Sequence, residues 1–200
     1  MSNKPKQELG PVTTYQLDFF SEMMENQMTN AVGLVKRAGD LLALAEQGEF
    51  DVIIHGCNCK CIMGGGIAAQ IARRYPQIAD ADATGGHYGG DYLKLGNFTY
   101  GTAYGKSQLH TGMVNGPVVS TAFKVVNAYT QFEPSTGDDV FEYAAFELVL
   151  NKILYKFGPV RYGLPYIGMG LAKGDPNRIM PIIHAWTERV VAAGGSVTLV

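Results

Sequence analysis

The stretch DVIIHGCNCKCIMGGGIAAQI, residues 51–71, determines how this chain is interpreted. It starts with an apolar run at 51–54, of the kind that is buried in a parallel sheet. The run leads to a polar Asn58, and three glycines at 64–66 then open a helix that we predict over 67–74. In open α/β folds, ligands bind where a parallel strand ends and its loop begins. The stretch therefore predicts a ligand site at the end of this strand.

The glycines suggest that the ligand carries phosphate. Glycine lets the backbone approach a ligand closely, and the first N–H groups of a helix attract an anion. The simpler alternative is a flexible turn between a strand and a helix. The pattern matches neither G-x-x-x-x-G-K-[ST] nor G-x-G-x-x-G, so the nucleoside-triphosphate and dinucleotide fingerprints are absent. Asn58 points to a ligand as well, because a polar amide at the end of a buried strand needs a partner.

A second glycine loop follows another apolar strand, which we predict over 160–167. Gly168-Met169-Gly170-Leu171 comes next, and Asp175-Pro176 is a favourable start for a helix. Two strand ends thus carry two glycine loops, and each loop leads into a helix. Such a pair suits a ligand with two phosphates better than a ligand with one.

Strands and helices mostly alternate along the chain, which predicts an α/β sandwich with a mixed central sheet. The predicted strands cover residues 31–36, 50–55, 95–103, 118–128, 160–167 and 196–200. The predicted helices cover residues 41–47, 67–74, 138–157 and 175–193. In the long helix at 138–157, one face would carry Phe141, Ala145, Leu148 and Ile153. We treat residues 1–30, with a predicted helix at 16–27, as an N-terminal extension of a domain at 31–200.

Composition indicates one core and no general affinity for nucleic acid. The chain has 200 residues, 46% of them hydrophobic, and a net charge of −2, so it lacks the basic surplus that contacts to a phosphate backbone require. No apolar stretch is long enough to span a bilayer, and residues 1–10 lack the apolar core of a signal peptide. We expect a cytoplasmic monomer that does not associate with membranes.

Cys57, Cys59 and Cys61 alternate along one short segment and are too close together for an ordinary disulfide. A zinc site would need further ligands at C-x-x-C or histidine spacing, which the sequence does not offer. We expect reduced thiols in a tight loop and no metal. His55 could move a proton beside the proposed site, but a hydrogen bond in the core is the favoured interpretation.

In three stretches the chain resembles the macro domain family of ADP-ribose-binding modules. Residues 38–42 are similar to the family's Gly-Asp-Ile-Thr segment, residues 58–68 to its asparagine and triple-glycine loop, and residues 165–171 to its Ile-Gly-x-Gly loop. The three motifs occur in the family's order, and the resemblance spans roughly residues 31–200. It implies an α/β fold with three layers, α/β/α, around a mixed central sheet.

The resemblance also implies the ligand contacts. The Asp40 carboxylate would accept a hydrogen bond from the adenine amino group, although capping of the helix at 41–47 explains this residue equally well. Asn58 would hold the distal ribose, the two glycine loops would enclose the diphosphate, and no cofactor is implied. The implied ligand-binding residues are Asp40, Leu41, Asn58, Gly64, Gly65, Gly66, Ile67, Ile167, Gly168, Met169, Gly170 and Leu171.

The activity depends on the residues around the distal ribose. In a family branch that uses a lysine nucleophile, the lysine often follows Asn-x-x-Thr, whereas residues 127–131 here read NAYTQ and place Gln131 at that position. An amide cannot form a Schiff base with the sugar. The resemblance therefore favours the yeast-type phosphatases that hydrolyse ADP-ribose 1″-phosphate, with Asn58 and Asp175 as the catalytic residues.

In that interpretation Asn58 positions the ribose and Asp175 activates water, while the alternative role for Asp175 is to cap the helix at 175–193. Two other functions stay open. One is a hydrolase that removes ADP-ribose from a modified protein or nucleic acid without a lysine nucleophile. The other is a non-catalytic module that only binds ADP-ribose.

Overall fold

The computed structural model describes residues 33–84, 90–108, 118–134 and 138–200. The predicted extension at 1–30, its helix at 16–27 and the first two residues of the predicted strand at 31–36 lie outside the described residues. No helix in the described part of the chain is both long and apolar enough to cross a bilayer.

Strands and helices alternate along the described residues. The strands are β1 (Leu34–Lys36), β2 (Val52–Asn58), β3 (Phe98–Gln108), β4 (Val118–Gln131), β5 (Arg161–Leu164) and β6 (Ser196–Leu199). The α-helices are α1 (Leu41–Glu46), α2 (Gly66–Arg74), α3 (Pro76–Ala83), α4 (Tyr143–Phe157) and α5 (Pro176–Ala192). A 3-10 turn at Tyr92–Lys94 precedes β3.

The strands form one sheet in the order β1-β6-β5-β2-β4-β3. Neighbours from β1 to β4 are parallel, and β3 alone is antiparallel to its neighbour β4. The predicted mixed sheet is confirmed. Because β2 has parallel neighbours on both sides, its carboxyl end at Asn58 lies at the middle of the sheet edge where ligands bind in such folds.

Helices cover both faces of the sheet. Alternate residues of a strand point to opposite faces. Val52 and Ile54 accordingly join the core cluster that contains residues of α4 and α5, whereas Ile53 joins the cluster that contains residues of α1, α2 and α3. All three side chains are at most 2% exposed. The predicted three-layer α/β/α arrangement is therefore confirmed.

The prediction for the long helix at 138–157 is wrong at its start and in one buried position. Helix α4 begins at Tyr143, after Glu142 in an extended conformation. The residues before it are not helical and pack against the core. Val140 N donates a hydrogen bond to Ala172 O at 3.1 Å, and Phe141 is buried. Leu148 is 46% exposed. The buried stripe of α4 instead consists of Ala145, Phe146, Val149, Leu150 and Ile153.

Several other elements differ from the predictions. Strand β3 covers Phe98–Gln108 instead of residues 95–103, and β4 continues to Gln131 instead of ending at residue 128. Helix α3 was not predicted. It follows α2 directly and has Pro76 in its first turn, where the N–H that proline lacks would have no partner within the helix. Strand β5 ends at Leu164 instead of residue 167. Pro165 follows immediately, and because proline has no backbone N–H it cannot extend the ladder. The chain from 165 onward is thereby released to form the second glycine loop.

Candidate ligand-binding cleft

Three cavities lie in a row along the carboxyl edge of the sheet. The Asp40 compartment, about 280 Å³, includes Asp40, Leu41, Ile67 and Pro165 in its lining. The middle compartment, about 310 Å³, is lined by residues of both glycine loops and shares Ile67 and Pro165 with the first. The Asn58 compartment, about 330 Å³, shares five lining residues with the middle one, namely Gly56, Gly65, Ala68, Gln131 and Leu171. Shared walls make the three compartments one elongated cleft.

The Asp40 compartment pairs a carboxylate with apolar walls. Asp40 Oδ1 accepts hydrogen bonds from Leu42 N at 2.8 Å and Ala43 N at 2.9 Å, which confirms its role as the N-cap of α1. Ile67, Pro165 and Val200 line the same space. Such a compartment suits a flat ring with a polar edge. The predicted contact of Asp40 with adenine stays a prediction.

In the middle compartment the two glycine loops face each other. A Cβ atom at Gly65 would lie 2.9 Å from Leu171 Cδ1, so a side chain at this position would narrow the gap unless Leu171 moved aside. Gly65 is also the N-cap of α2 and supplies no side-chain hydrogen bond. The first N–H groups of α2 therefore have neither an intrahelical nor a capping side-chain partner, and they can receive an anion.

The second glycine loop is held by its own backbone and by the core. Gly174 N donates to Gly168 O at 2.9 Å, and Lys173 N donates to Gly170 O at 3.2 Å. Gly168 has φ = +81°, and a Cβ atom there would lie 2.5 Å from the Phe141 ring. Gly168, Gly170 and Leu171 line the middle compartment together with Ile167. The side chain of Met169, a predicted site residue, packs against the core, and its contact with a ligand stays a prediction.

The side chain of Asn58 shapes the first glycine loop. Its Oδ1 accepts from Lys60 N at 3.0 Å and Ile62 N at 3.2 Å, and its Nδ2 donates to Ile62 O at 2.8 Å. Asn58 is 8% exposed and lines its compartment together with Gly64 and Gly65. The polar residue therefore has the structural partners that burial demands, and its contact with a ligand stays a prediction.

Gln131 lines the Asn58 compartment beside Asn58. It pairs in register with Asn58 across an irregularity between β2 and β4, and its Nε2 donates to Glu133 O at 2.8 Å. The named residues that line this compartment carry no charged side chain. Gly56, Thr130 and Gln131 were not among the predicted binding residues. The pattern at 127–131 placed Gln131 where the family's lysine would stand, but the register between β2 and β4 is what brings it beside Asn58.

Asp175 is the N-cap of α5, which confirms the alternative interpretation of this residue. Its carboxylate accepts from Asn177 N at 2.9 Å, and its own N–H donates to Tyr143 Oη at 2.8 Å. Asp175 does not belong to the described lining of the three compartments. Its catalytic role stays a prediction.

His55 makes the predicted hydrogen bond in the core. Its Nε2 lies 2.7 Å from Asn127 Oδ1, and the residue is 1% exposed. Burial lowers the pKa of His55 to about 4, and the bond to Asn127 opposes this shift only in part. The imidazole is therefore neutral at pH 7 and structural.

Sequence comparison identifies one curated relative. A protein of Enterobacteria phage T4, described as an uncharacterized 17.5 kDa protein in the tk-vs intergenic region, is 32% identical over 158 residues, which cover 76% of this chain and 88% of the phage protein. The chain belongs to the family of this phage protein. No protein-family model matches the chain.

Solved structures show that this chain has the macrodomain fold. The macrodomain of Mycobacterium tuberculosis DarG superposes with a TM-score of 0.60 at 19% identity, and the match covers 83% of this chain and 95% of that macrodomain chain. Thermosipho africanus DarTG in complex with ADP-ribose gives a TM-score of 0.58 at 16% identity, and the match covers 84% of this chain and 41% of the DarTG chain. The Oceanobacillus iheyensis macrodomain with ADP gives a TM-score of 0.53 at 15% identity, and the match covers 82% of this chain and 80% of the Oceanobacillus chain. At these identities the likeness establishes the fold.

Proposed function

We propose that this protein binds ADP-ribose in the cleft. The observation that supports the proposal is the order of the three compartments: a carboxylate beside an apolar slot, a gap between two glycine loops, and a compartment lined by amide side chains. Adenosine, a diphosphate and a second ribose follow one another in the same order. The Thermosipho and Oceanobacillus structures contain ADP-ribose and ADP, respectively, and the shared fold supports the same class of ligand here.

Each part of the ligand would meet groups of suitable chemistry. The Asp40 carboxylate retains acceptor capacity beyond its two capping bonds, because each oxygen has two lone pairs. It can therefore accept the adenine amino group while Ile67 and Pro165 contact the ring. The diphosphate would lie against the N-terminus of α2, whose positive end favours an anion.

Within this class of ligand we propose ADP-ribose 1″-phosphate as the substrate. The Asn58 compartment has Gln131 where a nucleophilic lysine would stand, and backbone N–H groups at 64–66 could hold a terminal phosphate. A water molecule would attack phosphorus while the Asp175 carboxylate takes a proton from it, and the bond between phosphorus and the ribose oxygen would break. The proton would return through solvent to the departing ribose oxygen, which leaves ADP-ribose and inorganic phosphate. Because Asp175 caps α5 outside the cleft lining, this role requires the 168–174 loop to rearrange when substrate binds.

Binding without turnover is the second candidate function. The observation that favours it is the same placement of Asp175, whose carboxylate is engaged by Asn177 N and lies apart from the three compartments. A pure binding module needs the cleft alone.

Titration calorimetry with ADP-ribose and AMP tests the binding proposal. Gly65→Val is the informative variant because the backbone of Gly65 is extended, at φ −137°, and accepts a side chain, whereas its Cβ would enter the gap facing Leu171. We expect it to weaken ADP-ribose binding about tenfold or more. Gly64→Ala is the matched control, since its Cβ makes only an ordinary contact of 3.8 Å with Ile62. If the unaltered protein fails to bind ADP-ribose, the proposal is wrong.

Release of phosphate from ADP-ribose 1″-phosphate tests the enzymatic proposal. Asp175→Ser keeps an N-cap side chain but removes the carboxylate, and Asp175→Ala removes both. If Asp175 is the base, both variants lose turnover and keep ADP-ribose binding. If both retain turnover, Asp175 only caps the helix. If the unaltered protein binds ADP-ribose but releases no phosphate, the phosphatase proposal fails, and release of ADP-ribose from modified protein or nucleic acid is then assayed.

A further inference from the structure

A buried polar cluster lies behind the first glycine loop, outside the proposed ligand site. It consists of Cys61 in that loop, Asp82 near the end of α3, Lys94 in the 3-10 turn and Tyr129 on β4. Asp82 and Tyr129 are 1% exposed and Lys94 is 7% exposed, whereas Cys61 is partly exposed. The cluster joins four separate segments of the chain, and the proposed binding of ADP-ribose uses none of its side chains.

The lysine lies against the cysteine. Lys94 Nζ is 3.0 Å from Cys61 Sγ and 3.6 Å from Asp82 Oδ1, and it also donates to the Asp82 carbonyl oxygen. Tyr129 Oη donates to Asp82 Oδ1 at 2.8 Å, and the Tyr129 ring centroid lies 4.5 Å from Nζ. The amine is therefore fixed beside the sulfur by several contacts and has little freedom to leave it.

Of the three neighbouring cysteines, Cys61 alone is not fully buried. Cys57 and Cys59 are 5% and 0% exposed, and burial raises the pKa of Cys57 well above its usual value and that of Cys59 to about 11. Buried thiols of this kind are inert because the thiolate is the reactive form. Cys61 is partly exposed. A small oxidant therefore reaches Cys61 first.

We propose that Cys61 and Lys94 form a redox-responsive pair, in which peroxide oxidises the thiol and the lysine amine then forms a reversible sulfur–nitrogen bond. In the first step the thiol and hydrogen peroxide give a sulfenic acid and water, so that sulfur is oxidised and peroxide is reduced. In the second step the lone pair of Nζ attacks sulfur, the S–O bond breaks and a second water leaves. Two thiol reductant molecules regenerate the cysteine and the lysine and become a disulfide.

Asp82 provides for the proton in the second step. The amine can attack only after it has lost a proton, and the Asp82 carboxylate lies 3.6 Å from Nζ. Burial is the main cause that raises the pKa of Asp82, so this carboxyl group can hold a proton. It then passes the proton to the departing oxygen, which leaves as water, and takes up the further proton that nitrogen loses as the sulfur–nitrogen bond forms.

The bond would connect the Asn58 loop to the 3-10 turn at 92–94. Ile62, the residue after Cys61, lines the Asn58 compartment, so oxidation would fix one wall of that compartment. The chemical step itself needs no ligand, and it is testable whether or not the cleft binds ADP-ribose.

The experiment is peptide mapping of the full-length chain after treatment with hydrogen peroxide. Trypsin cleaves after Lys60 and Arg73 but not at a modified Lys94, so the predicted product joins peptide 61–73 to peptide 75–106. We expect this product to be about 2 Da lighter than the two separate peptides together, and to disappear after reduction with dithiothreitol. Cys59→Ser should retain it and Cys61→Ser should abolish it.

Two outcomes would overturn the proposal. One is Cys61 recovered as sulfinic or sulfonic acid on a separate peptide while trypsin still cleaves after Lys94. The other is a disulfide between Cys61 and Cys57 or Cys59, which the Cys59→Ser and Cys57→Ser variants would reveal. Cys61→Ser changes one atom of a partly exposed residue, so loss of the product in that variant is read alongside an unchanged thermal midpoint.

Discussion

The buried histidine of β2 makes the stability of this protein depend on pH. His55 Nε2 carries its hydrogen toward Asn127 Oδ1, because the Asn127 amide nitrogen already donates to Ile78 O at 3.0 Å and Thr99 Oγ1 at 3.1 Å, leaving its oxygen as the acceptor. Protonation would place a charge in the core. Burial accordingly lowers the pKa of His55 from 6.5 to about 4.

The sign and size of the effect follow from proton linkage. Between these two pKa values the unfolded chain binds a proton at His55 and the native state does not, so the free energy of unfolding falls as pH falls through this window. From about pH 7.5 to about pH 5 the expected loss is about 2 kcal/mol, and it approaches roughly 3 kcal/mol below the native pKa. Above pH 6.5, the pKa of histidine in the unfolded chain, His55 no longer lowers the free energy of unfolding.

Urea unfolding of the unaltered protein and of His55→Gln across this pH range measures the effect. The glutamine amide nitrogen can donate to Asn127 Oδ1 in place of Nε2 but does not titrate. Asp51, Asp82 and His184, which also have shifted pKa values, are present in both proteins, so the difference between the two curves isolates His55. Curves that stay parallel from pH 7.5 to pH 5 would refute the reasoning.

Substitutions at three positions of the cleft, two of them with a control variant, give further tests. Gly168→Ala would place a Cβ atom 2.5 Å from the Phe141 ring at a residue with positive φ. It should lower the free energy of unfolding, measured with urea, by about 2 kcal/mol or more. Gly170→Ala is the control and should leave this free energy unchanged, because nothing lies within 4 Å of the added Cβ. Asp40→Ala should lower the free energy of unfolding by about 1 kcal/mol, because the helix cap is lost, and should also weaken ADP-ribose binding. Asp40→Ser should restore the stability but bind ADP-ribose as weakly as Asp40→Ala does. Equal affinity of Asp40→Ser and the unaltered protein in calorimetry would argue against an adenine contact. Asn58→Ala removes three hydrogen bonds and should destabilise the protein by roughly 2 kcal/mol; an unchanged thermal midpoint would contradict the structural role of this amide.

The part of the fold around β2 could be predicted because its signals are local. The apolar run at 51–54, the glycines at 64–66 and the following helix lie next to one another in the sequence, and each stretch indicates its own structure. The N-cap of α1 at Asp40 was also foreseeable, since capping involves only the backbone two and three residues ahead.

Helix α3 shows why other elements could not be predicted. Its sequence PQIADADA buries one apolar side chain, Ile78, and one carboxylate, Asp82. A helix that faces the core with so few apolar residues has no hydrophobic periodicity to detect. Its stability comes from tertiary partners, among them Lys94 and Tyr129, which lie outside its own segment. Leu148 was misplaced although Ala145 and Ile153 on the same predicted face are buried, because the buried stripe of α4 runs through Val149 and Leu150 instead.

The far end of the cleft depends on strand pairing. Strand β4 was predicted to end at residue 128, but it continues to Gln131, which pairs with Asn58. The contact joins residues more than seventy positions apart, so only the register of the sheet brings them together. The sequence at 127–131 indicated what Gln131 cannot do, while its place opposite Asn58 required the structure.

Among the described residues, the lining of the middle and Asn58 compartments carries no charged side chain, and this affects how a bound ligand would respond to its surroundings. An anion held there is attracted by fixed backbone dipoles, whose strength does not change with side-chain protonation. Binding of a phosphate group would then vary little across neutral pH and would survive chemical blocking of lysine and arginine. No single charge reversal in the lining could switch such a site off, so its affinity is tuned by the shape of the two loops and the width of the gap between them.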